Sequence, residues 1–344
     1  MNIDKFEDPI MKCRFCFMCR HLSAIGNVRF TEVDTPRIRA AMIYGLRTGT
    51  NSFDDEDFVE ALYRQDLSAS CRHHCVNHFD ENGLSLAVRA DVVEAGKAPE
   101  AVKKLAAKLA KAPAWSASGK GDLAWLLDEA TEADKDAVAA AKKLFAAAKV
   151  SPKVLSGGST GKALKTLGYI PEAKELAEKF AAFLKDEGVK TLVVSSPAEF
   201  DALTKDYPEF GVKLPCKVFC FSGWLLDAKV KFSKPAGEVY ALADDFMRNY
   251  DECECPEKLL KTLKAVNKPF GTNDEETYCC GEGAVVLDKL HPELVKALAQ
   301  YVAERADDPK KDKIVVLSAY VKNALVKYGK LNAVTMEELA ASCL

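Results

Sequence analysis

Apolar and polar positions follow one pattern before about residue 98 and another after residue 119. In the first part, Thr35-Pro36 is typical of a helix start, with Thr as the N-cap and Pro in the first turn. Apolar residues then recur at helical spacing over residues 37–46 and again over residues 54–66. The pattern therefore predicts a mostly helical N-terminal domain over residues 1–97.

Residues 98–118 form a stretch dominated by Ala and Lys. Both residue types favour helix. A biased, lysine-rich run of this kind is typical of a solvated face. The sequence therefore predicts an exposed connecting helix and a domain boundary here.

Two segments in the C-terminal part resemble each other, and each alternates short apolar strands with helical stretches. Such alternation indicates α/β units with parallel strands, and the repetition indicates an internal duplication. We therefore expect an α+β multidomain fold, in which an α-helical ferredoxin-like domain precedes two pseudo-symmetric α/β repeats over 119–235 and 236–344. The matched segments are 121–128 with 237–244, Ser156-Gly157-Gly158 with Cys279-Cys280-Gly281, 171–185 with 291–306, and 191–196 with 313–318.

Composition and charge narrow the class of protein. The chain has 344 residues, of which 48% are hydrophobic, and its 48 basic side chains nearly balance 51 acidic ones. This balance argues against a general nucleic-acid-binding protein, and no apolar run reaches the roughly 18–20 residues that span a bilayer. The acidic start lacks an apolar segment, so the sequence predicts a cytoplasmic protein whose 12 cysteines stay reduced.

The densest chemical pattern is the run Cys13-Arg-Phe-Cys16-Phe-Met-Cys19. Three thiolates at this spacing can converge on three corners of a cuboidal iron–sulfur cluster, and in two-cluster ferredoxins the fourth ligand comes from the other motif. The same pattern, laid over a second segment, ends at Cys75 and completes the set. The sequence therefore predicts one [4Fe–4S] cluster held by Cys13, Cys16, Cys19 and Cys75.

The ligands of a second ferredoxin-type cluster are mostly missing. They would fall on Ser23, Gln65, Ser68 and Cys71, so Cys71 is interpreted as a remnant. A zinc site or a set of buried thiols is the alternative, although structural zinc sites usually combine two C-x2-4-C pairs. The neighbouring histidines are interpreted as hydrogen-bond donors or exposed side chains rather than ligands: His21, His73, His74 and His78.

These motifs together resemble the heterodisulfide reductase-related CCG-domain iron–sulfur proteins, with a layout similar to that of the glycolate oxidase iron–sulfur subunit. The resemblance rests on the triple Cys13/Cys16/Cys19, on Cys75 and on Cys279-Cys280-Gly281. It implies a helical ferredoxin domain followed by two CCG-type repeats. It also implies an electron-transfer subunit whose partner is a flavoprotein, such as an FAD-linked 2-hydroxyacid dehydrogenase.

The chain departs from the family pattern in its C-terminal repeats. A complete family repeat has a lone Cys, then CCG, then C-x2-C about 35 residues later. Here the first repeat reads Ser156-Gly157-Gly158 in place of CCG. The second repeat keeps Cys279 and Cys280, but Asp244-Asp245 stands at the lone Cys and Ser318 begins the later region. We therefore expect no second cluster.

Several roles stay open for the remaining thiols. Cys279 and Cys280 are a candidate second redox or metal site, as a redox-active vicinal pair or a buried structural turn, and the roles of Cys253 and Cys255 are undetermined. Cys216 and Cys220 lie in a predicted buried strand and are interpreted as core thiols. The alternatives to electron transfer are a disulfide or thiol reductase using Cys279-Cys280, and a non-catalytic assembly protein with a structural cluster.

Overall fold

The computed structural model of the chain describes residues 1–13, 15–73, 75–246, 254–271, 278 and 280–344. Before residue 98, the described residues form helices and turns without strands. The two helices predicted there are confirmed: one begins after Thr35, and the other begins after Asp55, whose side chain accepts from the Phe58 amide. The helices are α1 (Glu7–Lys12), α2 (Ala24–Arg29), α3 (Pro36–Thr48), α4 (Glu56–Tyr63) and α5 (Glu81–Glu94), with 3-10 turns at Asn2–Phe6 and Ser70–His73.

The predicted connecting helix is present as α6 (Glu100–Leu109), but the expectation of a fully solvated helix is wrong. Val102 and Ala106 are 1% and 2% exposed and pack into the apolar core of the N-terminal helices. One face of an Ala/Lys-rich helix can be apolar enough to bury, because its lysines occupy the other positions. A short strand, β1 (Ser116–Ser118), also lies inside the predicted connector and joins a sheet.

After β1 the chain forms two parallel-rich sheets, as the repeated strand–helix pattern predicts. The first sheet has the order β1-β3-β2-β4-β5 and the second β7-β6-β8-β9. Apart from antiparallel β1, all pairings are parallel. The strands are β2 (Leu123–Leu126), β3 (Lys153–Ser156), β4 (Thr191–Val194), β5 (Lys217–Cys220), β6 (Gly237–Ala241), β7 (Ala265–Asn267), β8 (Ile314–Val316) and β9 (Ala333–Thr335).

The two sheets share one strand order. In each of them, the first parallel strand along the chain lies between the second and the third, and the fourth lies beyond the third. An internal duplication would produce such a common order, and the duplication itself stays a prediction. The helices of the first sheet are α7 (Glu129–Ala133), α8 (Lys135–Ala147), α9 (Lys162–Leu167), α10 (Ile170–Asp186), α11 (Pro197–Asp201), α12 (Tyr207–Glu209) and α13 (Phe221–Asp227), with a π turn at Ala202–Asp206. Those of the second are α14 (Glu254–Thr262), α15 (Leu287–Leu290), α16 (Pro292–Ala303), α17 (Ala319–Ala324) and α18 (Met336–Ser342), with turns at Glu282–Ala284 and Leu325–Gly329.

One apolar core joins the two sheets. Trp125 and Phe145 from the first sheet region belong to the same buried cluster as Val315, Met336 and Leu339 from the second. The carboxyl ends of β4, β5, β8 and β9 all lie at one cavity between the sheets. In open α/β sheets this end of the strands is where ligands bind.

The N-terminal helices are packed tightly against the rest of the chain. Buried Arg89 donates to the carbonyl of Leu62 in its own region and to that of Thr166 in the first repeat, both at 2.9 Å. Gly168 has φ +96°, and a Cβ there would lie 2.5 Å from the Arg89 carbonyl oxygen. This close approach of two backbones requires glycine. Within the part of the chain that the structure describes, no helix is both long and apolar enough to cross a membrane.

Candidate metal centre

Three of the predicted ligands lie in the loop that follows α1. The Cys13 amide donates to the Ile10 carbonyl at 3.2 Å, which continues the last turn of that helix. Cys13 and Cys19 are half-buried, and Cys16 is exposed. Phe15 adopts a positive φ of 50°, which turns the backbone between the first two cysteines. The loop thereby presents three thiols at the surface of the helical region.

The fourth predicted ligand is delivered by a tight turn. The Cys75 amide donates to the Cys71 carbonyl at 3.1 Å, and the Cys75 carbonyl accepts from the His78 amide at 2.9 Å. Cys75 is half-buried and packs against the same apolar core as Cys13. The turn therefore brings a residue more than 50 positions away in the sequence to the first cysteine.

The four thiols are close enough to influence one another's ionisation. Burial raises the pKa of Cys13, and the neighbouring Cys75 and Cys16 raise it further. Burial also raises the pKa of Cys19 to about 11, with a smaller contribution from Cys13. Cys13 thus interacts with each of the other three. Because thiols with raised pKa values hold their protons at neutral pH, a metal that binds them must displace those protons.

A fifth thiol lies beside this group. Cys71 is 2% exposed, and its S–H donates to Glu81 Oε2 at 3.2 Å. Burial, followed by the charge of Glu81, raises the pKa of Cys71 well above its ordinary value. Cys71 is therefore held as a neutral hydrogen-bond donor, which fits its interpretation as a remnant rather than a ligand.

Glu81 also links the thiols to a buried arginine. The Arg39 Nε donates to Glu81 Oε1 at 2.6 Å, and both side chains are nearly inaccessible to solvent. Buried charges are stable only when they are paired and hydrogen-bonded. The sequence analysis missed this pair, because its members are 42 positions apart and neither carries a local motif.

The other residues of the predicted second ferredoxin set are buried, and the two serines among them make ordinary hydrogen bonds, whereas the Gln65 side-chain amide has no hydrogen-bond partner among the described residues. Ser23 Oγ donates to the Asp34 carbonyl at 2.9 Å and accepts from the Gly26 amide, so it caps α2. Ser68 and Ser70 share a hydrogen bond of 3.2 Å. Gln65 is 1% exposed. Of the neighbouring histidines, His21 and His78 are exposed, whereas His74 and the side chain of His73 lie outside the described part of the chain.

The position of the Cys-Cys-Gly turn can be described only in part, since Cys279 lies outside the described residues. Cys280 is fully buried, and burial, followed by the charges of Asp245 and Glu282, raises its pKa strongly. Glu282 in turn hydrogen-bonds to Asp244 and Ser318. Asp244, Asp245 and Ser318, which stand where the family pattern has further cysteines, therefore lie near Cys280 or Glu282.

One group of carboxylates is tight enough to hold a single metal ion: Asp134, Asp136 and Glu338. Lys322 Nζ lies 2.7 Å from Asp134 Oδ2 and 2.7 Å from Glu338 Oε1. The Lys322 ammonium already pairs with two of the three carboxylates, so we assign the cluster to an ion-pair network. No other set of three metal-ligating side chains in the described residues is as compact.

Two thiols that sequence reasoning kept apart lie together in the structure. The interpretation of Cys220 as a core thiol is wrong: it lines the cavity between the sheets together with Cys255, and the two side chains are hydrogen-bonded. Cys216 does pack in an apolar cluster, and burial raises its pKa to about 11. Cys255 therefore pairs with a thiol of the first repeat.

Comparisons with known proteins give no relative for this chain: no family model, no curated protein and no solved structure matches it.

Proposed function

We propose that this chain is an iron–sulfur electron-transfer protein, in which Cys13, Cys16, Cys19 and Cys75 hold one [4Fe–4S] cluster. The observation that carries the proposal is the convergence of these four thiols, seen in the mutual effects on their pKa values. Thiolates are the ligands that iron–sulfur clusters and zinc prefer. When bound, such a cluster accepts and releases single electrons.

The spacing of the thiols favours a cluster over a zinc ion. Tetrahedral zinc with Zn–S bonds of about 2.3 Å would place its sulfurs roughly 3.8 Å apart. No three of the described cysteines have sulfurs within 4.8 Å of one another. A cuboidal cluster binds each thiolate through a different iron and so spreads its ligands more widely.

The surroundings of the thiols support direct contact with a redox partner. We define the apolar rim as four large apolar residues next to the cysteines. Three of them lie between Cys13 and Cys19, and the fourth directly follows Cys75: Phe15, Phe17, Met18 and Val76. Their exposures are 40%, 68%, 47% and 82%, which is high for large apolar side chains. Exposed apolar groups clustered at one place mark protein–protein contact sites. A partner that covers this rim would lie directly over the cluster.

Four arginines and two carboxylates form ion pairs near the apolar rim. Glu32 is shared between Arg20 and Arg37, each at 2.7 Å. Buried Asp34 is shared between Arg29 and Arg64, at 3.3 and 3.5 Å. Four positive charges thus face two negative ones. An oxidised [4Fe–4S] cluster together with its four thiolates would add a net charge of about −2, so the surplus of arginine charge would stabilise the bound cluster.

The class of partner follows from the resemblance stated above. An FAD-linked dehydrogenase would exchange electrons through the apolar rim. The chain's own residues would hold the cluster, exclude water on its inner side through Arg39 and Glu81, and orient the partner. We further propose a cytoplasmic location, because the free thiols require a reducing compartment.

A reductase centred on the Cys-Cys-Gly turn has less support. Its reactive thiol would need access to substrate and a lowered pKa. Cys280 is fully buried and its pKa is raised. An assembly protein with a purely structural cluster is also less well supported, because a structural cluster has no need of the exposed apolar rim.

Metal analysis tests the proposal directly. We expect anaerobically purified or reconstituted protein to contain about four iron and four acid-labile sulfide per chain, and Cys16→Ser to lose most of both. Cys216→Ser is the matched control, because that thiol lies far from the centre in the first sheet. About one zinc per chain, or unchanged iron in Cys16→Ser, would refute the proposal.

A further inference from the structure

The cavity between the two sheets contains a pair of thiols that come from different repeats. Cys220 is the last residue of β5 and directly precedes α13. Cys255 lies in the first turn of α14, 35 positions later. The two helices pack against each other, so the two cysteines meet where these helices begin.

The two sulfurs are in contact. The thiol of Cys255 hydrogen-bonds to that of Cys220. Gly223, one turn along α13, makes room for both: a Cβ at that position would lie 3.2 Å from Cys220 Sγ and 3.5 Å from Cys255 Sγ. Glycine thus leaves space in which the sulfurs can approach each other.

The pair is also accessible from the cavity. About 130 Å³ of open space lies between the carboxyl ends of the strands, and both cysteines line it. Both are half-buried rather than enclosed. A molecule as small as hydrogen peroxide can therefore reach the sulfurs, whereas thiols in the core are shielded from it.

We propose that Cys220 and Cys255 form a reversible dithiol–disulfide couple that is oxidised by peroxide and reduced by small thiols. This proposal is independent of the cluster proposed at the N-terminal cysteines. The cavity between the sheets would then contain a redox-sensitive site to which each repeat contributes one cysteine.

The chemistry assigns different roles to the two sulfurs. The hydrogen bond to Cys220, ahead of burial, raises the pKa of Cys255, so Cys255 keeps its proton. Its S–H can then stabilise a thiolate on Cys220, and the thiolate is the nucleophilic form of cysteine. Cys220 is therefore the attacking sulfur and Cys255 the resolving one.

The oxidation proceeds in two balanced steps. The Cys220 thiolate attacks one peroxide oxygen, the O–O bond breaks, and a sulfenic acid and hydroxide form. The Cys255 sulfur then attacks the Cys220 sulfur, the S–S bond forms and the S–O bond breaks, releasing a second hydroxide. The two thiol protons convert both hydroxides to water. In total two thiols and one peroxide give one disulfide and two waters, with sulfur oxidised by two electrons and peroxide reduced.

The other described thiols outside the N-terminal region have different surroundings. Cys343 is fully buried, and its S–H donates to the Leu339 carbonyl at 3.3 Å. Cys280 is likewise fully buried. Cys220 and Cys255 differ from both of these thiols, because they line the cavity and hydrogen-bond to each other.

Peptide mapping of the full-length protein tests the couple. After mild peroxide treatment and blocking of free thiols, trypsin should release peptides 218–229 and 249–258 joined by a disulfide, in most of the wild-type chains. Reduction with dithiothreitol should separate them. Mapping reports this linkage whatever happens at the N-terminal cysteines, and it requires no variant to fold.

Variants identify the partner sulfurs. Cys220→Ser and Cys255→Ser should each abolish the linked peptides, whereas Cys253→Ser, in the same tryptic peptide, and Cys216→Ser, next to β5, should retain them. The proposal is overturned if oxidised wild-type protein yields no linked peptides, or if the linkage survives in Cys255→Ser.

Discussion

Arg39 and Glu81 form a buried ion pair beneath the loop that carries Cys13, Cys16 and Cys19. The pair connects α3 to α5, and the second oxygen of the same carboxylate accepts the Cys71 thiol. A charged network and the candidate metal centre therefore meet at Glu81.

Removing one member of the Arg39–Glu81 pair should lower the free energy of unfolding substantially. In Arg39→Met the Glu81 carboxylate loses its countercharge while buried, so we expect a loss of about 3–5 kcal/mol in the free energy of unfolding. Arg47→Met is the matched control, since its partners Asp4 and Glu7 are exposed. There we expect less than about 1 kcal/mol. Urea titration of both variants measures the difference, and equal losses would contradict the assignment.

Substitutions of Cys71 and Cys75, which are four positions apart, should have different effects on the iron content of the protein. We expect Cys75→Ser to lose most of its iron, because Cys75 is one of the four proposed ligands. Cys71→Ser should retain about four iron per chain, since that thiol is engaged with Glu81. Iron and sulfide assays on the two proteins decide the matter. Loss of iron in Cys71→Ser alone would reassign the fourth ligand.

Partner binding should depend on the apolar rim. Phe17→Ser removes the ring beneath the Arg37 guanidinium, 4.1 Å away, and should weaken binding to the co-purifying redox partner about tenfold or more. Val266→Ser, at another exposed apolar position, should have no such effect. Equal binding by wild type and Phe17→Ser would refute a docking role for the apolar rim.

Stability should depend on pH through Glu337, which lies in the first turn of α18 beside the cavity. Burial raises its pKa from 4.5 to about 7 in the folded protein. The folded protein therefore binds the Glu337 proton more tightly than the unfolded chain does. Protonated Glu337 contributes its full stabilisation below about pH 4.5, and this stabilisation is lost as the pH rises through 7. A shift of 2.5 units corresponds to about 3 kcal/mol.

Glu337→Gln should remove this loss of stability at high pH. Between pH 4.5 and 8.5 the wild type should lose about 3 kcal/mol of unfolding free energy relative to this variant. Glu304→Gln, at an exposed position after α16, serves as the control. Parallel pH profiles for wild type and Glu337→Gln would contradict the burial-based shift.

Two glycines with similar backbone conformation should tolerate alanine differently. Gly96 and Gly168 both have positive φ, +71° and +96°, but a Cβ at Gly96 meets nothing within 4 Å. Gly96→Ala should cost about 1–2 kcal/mol for the left-handed conformation alone. Gly168→Ala should cost a further 1–3 kcal/mol or so, because its Cβ would collide with the Arg89 carbonyl. Thermal and urea unfolding of the two variants separate these contributions.

The sequence alone predicted the features that local patterns determine. Thr35-Pro36 marks a helix start wherever it folds, and strand-like apolar runs followed by helical stretches identify the two sheets. The shared strand order follows from the repetition, which is itself a property of the sequence. The same reasoning placed the four cysteines of the candidate metal centre in one set, which stays a prediction.

Features that depend on contacts between residues far apart in the sequence could not be predicted from local patterns. Arg39 and Glu81 have no spacing that links them, and only packing of α3 on α5 reveals the pair. Cys220 looked like a core residue because β5 is apolar on both sides of it. The contact with Cys255 arises from helix packing across 35 positions. The buried face of α6 was missed for a related reason, since Val102 and Ala106 are too few to outweigh the lysines in a composition argument.

The apolar core shared by the two sheets has a consequence for either repeat on its own. Trp125 and Phe145 of the first repeat lie in one buried cluster with Met336 and Leu339 of the second. A gene segment encoding one repeat alone would therefore expose its half of this shared core to solvent. Substitutions in one half set the packing that the other half must accommodate, so the two halves constrain each other's sequences.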